Sequence, residues 1–363
     1  MLTRRQLNRA LLARQHLLSR TKATPADVIE QLAGMQAQVP RPPFVGLWTR
    51  MQKFQREDLL ALYRARKVVR ATAMRGTIHL LTTKDFLLFR PRLADMLVRG
   101  ANSIVGKRLG GADIEPFYKA GREFFTRNSA PFEAFRAAAK SKWPKLDVRA
   151  IAYTVRLGVP LVMVPTGERW GFSSNADFTF ADAWLRKAVP ASSDDLDLLV
   201  MRYLAAFGPA TPGDAQTWSG LRDLRPVFER LRKKLVTFRD ERKRELFDLP
   251  KAPRPDADTP APVRFLPEYD NVALSHDDRT RIIADEHRGR LVTKNLIVVG
   301  GFTVDGFIAG TWRVGVKKKV AALRLSPFAK LARSAAAELV AEGERLLEFV
   351  EADADAKVVG FSK

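Results

Sequence analysis

Val68-Val69-Arg70-Ala71-Thr72-Ala73-Met74, then Arg75-Gly76, then Thr77-Ile78-His79-Leu80-Leu81-Thr82 is the stretch where the chain changes period. Before it, Leu59, Leu60, Leu62 and Tyr63 recur at helical spacing between Arg56 and Arg66. Within it, β-branched and apolar residues fill two strand-length blocks around a glycine. The pattern predicts a tight β-hairpin with Arg75 at an exposed tip, where a guanidinium reaches phosphate or a groove, and with Thr72 and His79 facing each other. His79 alternates with Ile78 and Leu80, which fits a hydrogen-bonded histidine of the core face as well as a contact residue.

On the N-terminal side, Thr3 is placed to cap a helix from Arg4 to Ser19. Thr24-Pro25-Ala26-Asp27 reads as N-cap, proline at the first position and an acid in the first turn of a second helix running through Val28 to about Gln36. That helix leads into Gln36-Ala37-Gln38-Val39-Pro40-Arg41-Pro42-Pro43. Pro40 and Pro42 push the residues before them out of the α region, so the chain is expected to run extended through Gln38. Residues two apart on an extended segment point the same way. Both amides then face one site, where they can hold a water or a base edge without changing charge; a polar helix end followed by a solvated loop is the plainer reading.

Three helices followed by a basic two-stranded wing is the outline of a winged helix-turn-helix unit, and the outline recurs. Glu115 to Arg127, a segment opened by Ser129-Ala130-Pro131-Phe132-Glu133, and Asp147 to Leu157 read as helices; Val159 to Val164 and Arg169-Trp170-Gly171-Phe172 read as a hairpin. A third pass has helices through Phe207, from Thr211-Pro212 and from Leu224 to Leu235, then strands Val236 to Arg239 and Leu246 to Leu249 around Arg242-Lys243-Arg244. The expected fold is α+β: winged-helix modules over 1–114, 115–190 and 191–249, a proline-rich linker over 250–262, and a small β-barrel-like domain over 263–363. The last contains strands at Val263–Leu266, Leu296–Val299, Phe302–Val304, Gly306–Trp312 and Val320–Leu325, closed by a helix from about Pro327 to Phe349.

With 62 Lys and Arg against 40 Asp and Glu, the chain carries a formal charge of +22, which points to a polyanionic partner, double-stranded DNA above all. Zero cysteine excludes disulfides and thiolate metal sites, and four histidines leave little for a metal centre, so none is expected. No apolar run approaches a membrane span. The first residues are basic enough to resemble a transit peptide, but their leucines continue helical spacing toward the next helix, so they are read as part of the fold and the protein as cytoplasmic. No strand-GxGxxG-helix or GxxxxGK[ST] context exists, so no nucleotide cofactor is expected, nor any other. Leu266-Pro267-Glu268-Tyr269-Asp270-Asn271-Val272-Ala273-Leu274-Ser275-His276-Asp277-Asp278-Arg279 is acid-rich within a basic chain; it suits a metal, a catalytic carboxylate or an ordinary Asx-rich turn. The basic residues of the hairpins and strands, Arg70, Arg75, His79, Arg169, Arg242, Lys243, Arg244 and Arg313, are the expected DNA contacts.

Leu32-Ala33-Gly34-Met35-Gln36-Ala37-Gln38, Leu47-Trp48-Thr49-Arg50, Val69-Arg70, Met74-Arg75-Gly76-Thr77-Ile78-His79-Leu80 and Leu266-Pro267-Glu268-Tyr269-Asp270-Asn271 together resemble the bacterial AlkZ/YcaQ-like winged-helix DNA glycosylases, in order and over nearly the whole chain. The resemblance implies tandem winged helices around a basic DNA channel and excision of alkylated purines, notably N7-alkylguanine, by a monofunctional glycosylase, with unhooking of interstrand crosslinks in some members. It maps the family's catalytic motif, Gln, an aliphatic residue, then Gln or Asp, onto Gln36, Ala37 and Gln38, where Ala37 is small for the middle position. A second class stays open, a non-catalytic winged-helix DNA-binding protein or transcriptional regulator. No dimerisation helix is visible, and a monomer is expected.

Overall fold

The computed structural model describes residues 1–293, 295 and 297–362. Thr3 and Gln6 cap the helix Arg4–Arg14 reciprocally, and Thr24 caps Pro25–Gln31. This second helix stops short of Gln36. Ala33 and Gly34 take φ of 52° and 88°, the chain reverses, and Met35–Gln36 becomes strand β1. Glycine is required at 34, because its left-handed backbone also lies against Leu81, 2.4 Å from where a Cβ would stand. Pro42 and Pro43, read as loop residues, instead open the helix Pro42–Arg50. The first turn has no intrahelical use for their missing N–H groups. The helix Arg56–Arg64 follows.

Strands β2 (Val68–Thr72) and β3 (Ile78–Thr82) form the expected antiparallel pair, joined by a 3-10 turn at Met74–Gly76. Its register sets Ala71, not Thr72, opposite His79. β1 pairs with the other edge of β3, Gln36 opposite His79. β4 (Leu161–Met163) meets β2 at Ala71 and Val162 and pairs in turn with β5 (Phe178–Phe180). The order is β1-β3-β2-β4-β5. Thus the hairpins expected of the first two modules are one shared sheet, and the partner of β4 is Phe178–Phe180 rather than Arg169–Phe172, which is a loop. The reason is burial: every residue of β2, β3 and β4 is buried, so these strands need neighbours on both edges, whereas a wing is open to water.

The third pass has its hairpin to itself. Helices Asp197–Phe207, Pro212–Ser219 and Arg225–Leu231 precede a separate hairpin of β6 (Val236–Arg239) and β7 (Glu245–Asp248). The proline-rich linker then runs beside the first helix. Arg5 Nε donates to the Ala257 carbonyl at 2.8 Å, Arg9 Nε to Thr259 at 2.7 Å and Arg14 Nη2 to Pro253 at 3.2 Å. Three of the arginines that gave the N-terminus its transit-peptide look, Arg5, Arg9 and Arg14, therefore bind this chain's own backbone. Arg14 also makes a buried bidentate pair with Asp248, 2.8 Å on each arm.

The C-terminal part is an open sheet, not a closed barrel, among the described residues. Strands β8 (Arg264–Leu266), β9 (Gly301–Val304), β10 (Phe307–Lys317), β11 (Val320–Pro327) and β12 (Ala356–Phe361) follow the order β12-β11-β10-β9-β8. β12 joins β11 in parallel, after the helix Arg333–Val350 has crossed one face. That crossover covers Trp312, Leu323 and Leu325 with Leu339, Leu346 and Leu347 and leaves the sheet's two edges apart. Pro327 ends β11, so the helix begins later than its pattern suggested. Of the strand expected at Leu296–Val299, Leu296 lies outside the described residues, and Val298 makes a single bridge to Val292. No helix of the described residues is long and apolar enough to cross a membrane.

Candidate active site

The amide pair lies on the rim of the first sheet, and its backbone is tied on both sides. Ala37 N–H donates to the Ile78 carbonyl at 2.8 Å. From β2, the buried Arg70 sends Nε to the Ala37 carbonyl at 2.8 Å and Nη2 to that of Gln38 at 3.1 Å. The chain is extended at Met35–Gln36 but bends at Gln38 rather than running extended through it, and both side chains still reach the end of the β2–β3 hairpin. Gln36, 8% exposed, accepts at Oε1 from Arg75 Nη2 at 2.8 Å. Gln38, exposed, accepts at Oε1 from the Ile78 N–H at 3.3 Å.

The 266–271 stretch packs against the same place. Asn271 Nδ2 donates to the Gly34 carbonyl at 3.3 Å, and Asn271 Oδ1 accepts from Arg75 at 3.3 Å. Asp270 pairs with Arg50 at 2.9 Å, and Glu268 with Arg41 at 2.8 Å. Between these groups lies a cavity of about 10 Å³ lined by Gln15, Gln36, Arg50, Tyr269 and Asn271 among others, room for about one water. Two motifs at opposite ends of the chain thus build one site. Of the acids of 268–278 that could have served a metal or a proton transfer, Glu268, Asp270 and Asp278 are engaged by arginines, Asp278 by Arg244 at 2.6 Å and Arg242 at 3.1 Å.

Several expected DNA contacts are placed otherwise. Arg75 is not at an exposed tip. Its φ of 56° turns the side chain inward, half-buried, onto the Trp218 carbonyl, Gln36 and Asn271. Arg70 and His79 are buried inside the sheet, His79 with Nδ1 against the Thr77 carbonyl at 3.1 Å. Arg169 bonds the Val350 carbonyl and, at 3.1 Å, Glu351, where the last helix ends. Arg244 is held by Asp240 and Asp278. Arg242, Lys243 and Arg313 are exposed. Of the basic surface on the C-terminal sheet, the sequence reading singled out only Arg313. Arg324 stands directly opposite Arg313, and Lys317, Lys318 and Lys319 crowd the turn between β10 and β11. Most of these side chains, together with Thr311, line a concave face of about 880 Å³. The lysine run between two alternating strands was the available signal.

Burial and the charge of Arg75 push the His79 imidazole down to about 3 from its usual 6.5, so it stays neutral beside the amides. Between about pH 3 and 6.5 the unfolded chain binds a proton at this histidine and the folded chain does not, so stability rises with pH across that window. Burial and nearby Arg281 shift His276 in the same direction. The urea midpoint is therefore expected to be lower at pH 5 than at pH 7.5, and replacing His79 with Asn should flatten that difference.

A neutral, tightly positioned amide pair on a protein with an exposed arginine- and lysine-lined concave face fits the class of proteins that act on nucleic acid. The family is specific: residues 29–349 match the family model of AlkZ-like DNA glycosylases, and the chain belongs to that family of DNA repair enzymes. A solved structure, the DNA glycosylase AlkZ of Streptomyces sahachiroi, has the same fold, with a TM-score of 0.80 over 99% of this chain and 100% of its own at 18% identity. No curated protein matches the chain.

Proposed function

We propose that this chain is a monofunctional glycosylase that hydrolyses the N-glycosidic bond of N7-alkylguanine in duplex DNA and unhooks interstrand crosslinks joined through such bases, with Gln36 and Gln38 at the reacting bond. The observation that supports this reading is the neutrality of the site: two amides backed by a neutral histidine, with the adjacent carboxylates paired to arginines. Alkylation at N7 makes the guanine cationic, so the base departs as a neutral molecule and needs little protonation. General acid-base assistance is worth about 10² to 10⁴ in rate, and a site without it suits only a leaving group already activated. Ordinary bases are spared for the same reason. Gln38 is exposed, so an adduct too large for a snug base-flipping pocket can meet the pair at the surface.

Arg313 opposite Arg324 is a like-charge pair across two strands, an arrangement that weakens a sheet unless an anion lies over it. Duplex affinity is expected to depend on salt far more than on sequence. Changing Lys317, Lys318 and Lys319 together to Ala should lower the slope of log affinity against log salt by about 0.9 for each phosphate no longer neutralised. An unchanged slope, or strong preference for one undamaged sequence, favours the regulator instead.

Incubation with a duplex crosslinked through guanine N7 tests the substrate. The strands should separate while their backbones stay intact until alkali cleaves the abasic sites. A crosslink that persists restricts the activity to monoadducts, and nicking without alkali contradicts a monofunctional reaction.

A further inference from the structure

Both amides have their oxygens occupied, and the partners settle which end is which. A guanidinium and a peptide N–H only donate, so the atom of Gln36 facing Arg75 and that of Gln38 facing Ile78 must be oxygen. Neither NH₂ group has a protein acceptor among the described residues. The pair therefore presents donors to the site, and the protein decides this before any DNA arrives.

We propose that Arg75 is a positioning residue: it clamps Gln36 by its oxygen so that the amide meets the reacting centre as a hydrogen-bond donor, and it makes no contact with DNA. This rests on the reading that places Gln36 and Gln38 at the glycosidic bond.

The clamp is built from several elements. Arg75 Nη1 donates to the Trp218 carbonyl, and Nη2 is shared between Gln36 Oε1 and Asn271 Oδ1. Asn271 in turn holds the Gly34 carbonyl, close before Gln36 in the chain. Gly220, φ 83°, lets the end of the helix Pro212–Ser219 close on the turn; a Cβ there would lie 3.1 Å from the Arg75 Cα. Every acceptor on this guanidinium is neutral. Arg14 and Arg50 are instead matched with carboxylates, Asp248 and Asp270, whereas Arg70 and Arg90, like Arg75, bond only neutral oxygens. Burial and Arg279 bring the Arg75 pKa down to about 10, which still leaves it cationic at neutral pH. An unneutralised charge on the Gln36 oxygen polarises the amide and strengthens donation from its NH₂. Such a donor can hold a water by one lone pair while the other attacks, or meet the lone pair of a departing base. It cannot take a proton, so the proton of the attacking water passes to solvent.

The test compares single-turnover release of N7-methylguanine with duplex affinity for wild type, Arg75→Lys, Arg75→Ala, Gln36→Ala and the double variant Arg75→Ala/Gln36→Ala. Arg75→Ala should slow release about 10² fold, the usual cost of a misplaced reacting group, with affinity within about twofold. Arg75→Lys should recover part of the rate, since one ammonium cannot span all three acceptors. The double variant should be no slower than Gln36→Ala alone, because the two residues act as one unit. Loss of affinity as the main effect of Arg75→Ala, or full multiplication of the two losses in the double variant, overturns the proposal. Gln36→Glu decides the matter if the Arg75 variants do not fold. It keeps the oxygen on Arg75 but replaces the donor with an acceptor, so release should fall about 10² fold; wild-type activity in Gln36→Glu overturns the clamp. An inactive wild-type protein is a different result, since it removes the glycosylase reading itself.

Discussion

Gln38→Ala is expected to slow release of N7-methylguanine from duplex DNA by about 10² fold, roughly 3 kcal/mol of transition-state stabilisation, while duplex affinity stays within about twofold. The side chain is exposed and makes one hydrogen bond, to the Ile78 N–H, so little of the fold depends on it. Its backbone is held independently by Arg70 at the Ala37 and Gln38 carbonyls, and those bonds remain in the variant. A rate effect without a binding effect is the signature of a group used in the transition state alone. Gln36→Ala should act similarly on the rate but also cost stability, because it leaves the half-buried Arg75 guanidinium one acceptor short. Rate and melting temperature measured on both variants separate the two effects. Full activity in both leaves the pair as loop residues.

Asp270→Ala should destabilise the protein by about 3 to 5 kcal/mol, a large share of the roughly 5 to 15 kcal/mol that holds a typical domain folded. Asp270 and Arg50 are 4% and 1% exposed at the side chain and meet at 2.9 Å, so removing the carboxylate leaves a buried guanidinium with only the Gly46 carbonyl as its protein acceptor. Asp270 also accepts from the Val272 N–H at 3.0 Å, which shapes the loop carrying Asn271 toward Arg75. Asp270→Asn retains that shape and should cost less. Urea denaturation of the three proteins checks the order, and equal midpoints would mean that water enters the pair.

The parts of the fold legible in the sequence were those specified by neighbours along the chain. Alternation around Gly76 revealed β2 and β3, and Thr3, Thr24 and Thr211 marked helix starts that the structure keeps. Fusion of the first two hairpins was hidden, because three buried residues in β4 read the same whether their neighbour is close in sequence or distant. Pro42-Pro43 was ambiguous for a local reason: prolines suit a loop and a first helical turn equally.

At the site, the residue types of Gln36 and Gln38 were legible, and so was the 266–271 stretch, but not the bend at Gln38. Their meeting was not, since only the folded chain brings Asn271 onto Gly34 and Arg75. Charge was the least legible feature. Arg70, Arg75, Arg169 and Arg244 look like DNA contacts in a chain of charge +22, yet each is held by this protein's own carbonyls, amides or carboxylates. A formal charge counts such internal arginines together with the exposed ones of β10 and β11.

Free-base release from a duplex carrying a single N7-methylguanine, followed with wild-type protein in excess and beside a protein-free control, tests the central claim most directly. The predicted result is release far faster than spontaneous loss, leaving an abasic strand that breaks only on alkaline treatment. Release at the spontaneous rate, with the duplex still bound, would contradict it and leave a DNA-binding protein that uses this fold without the chemistry.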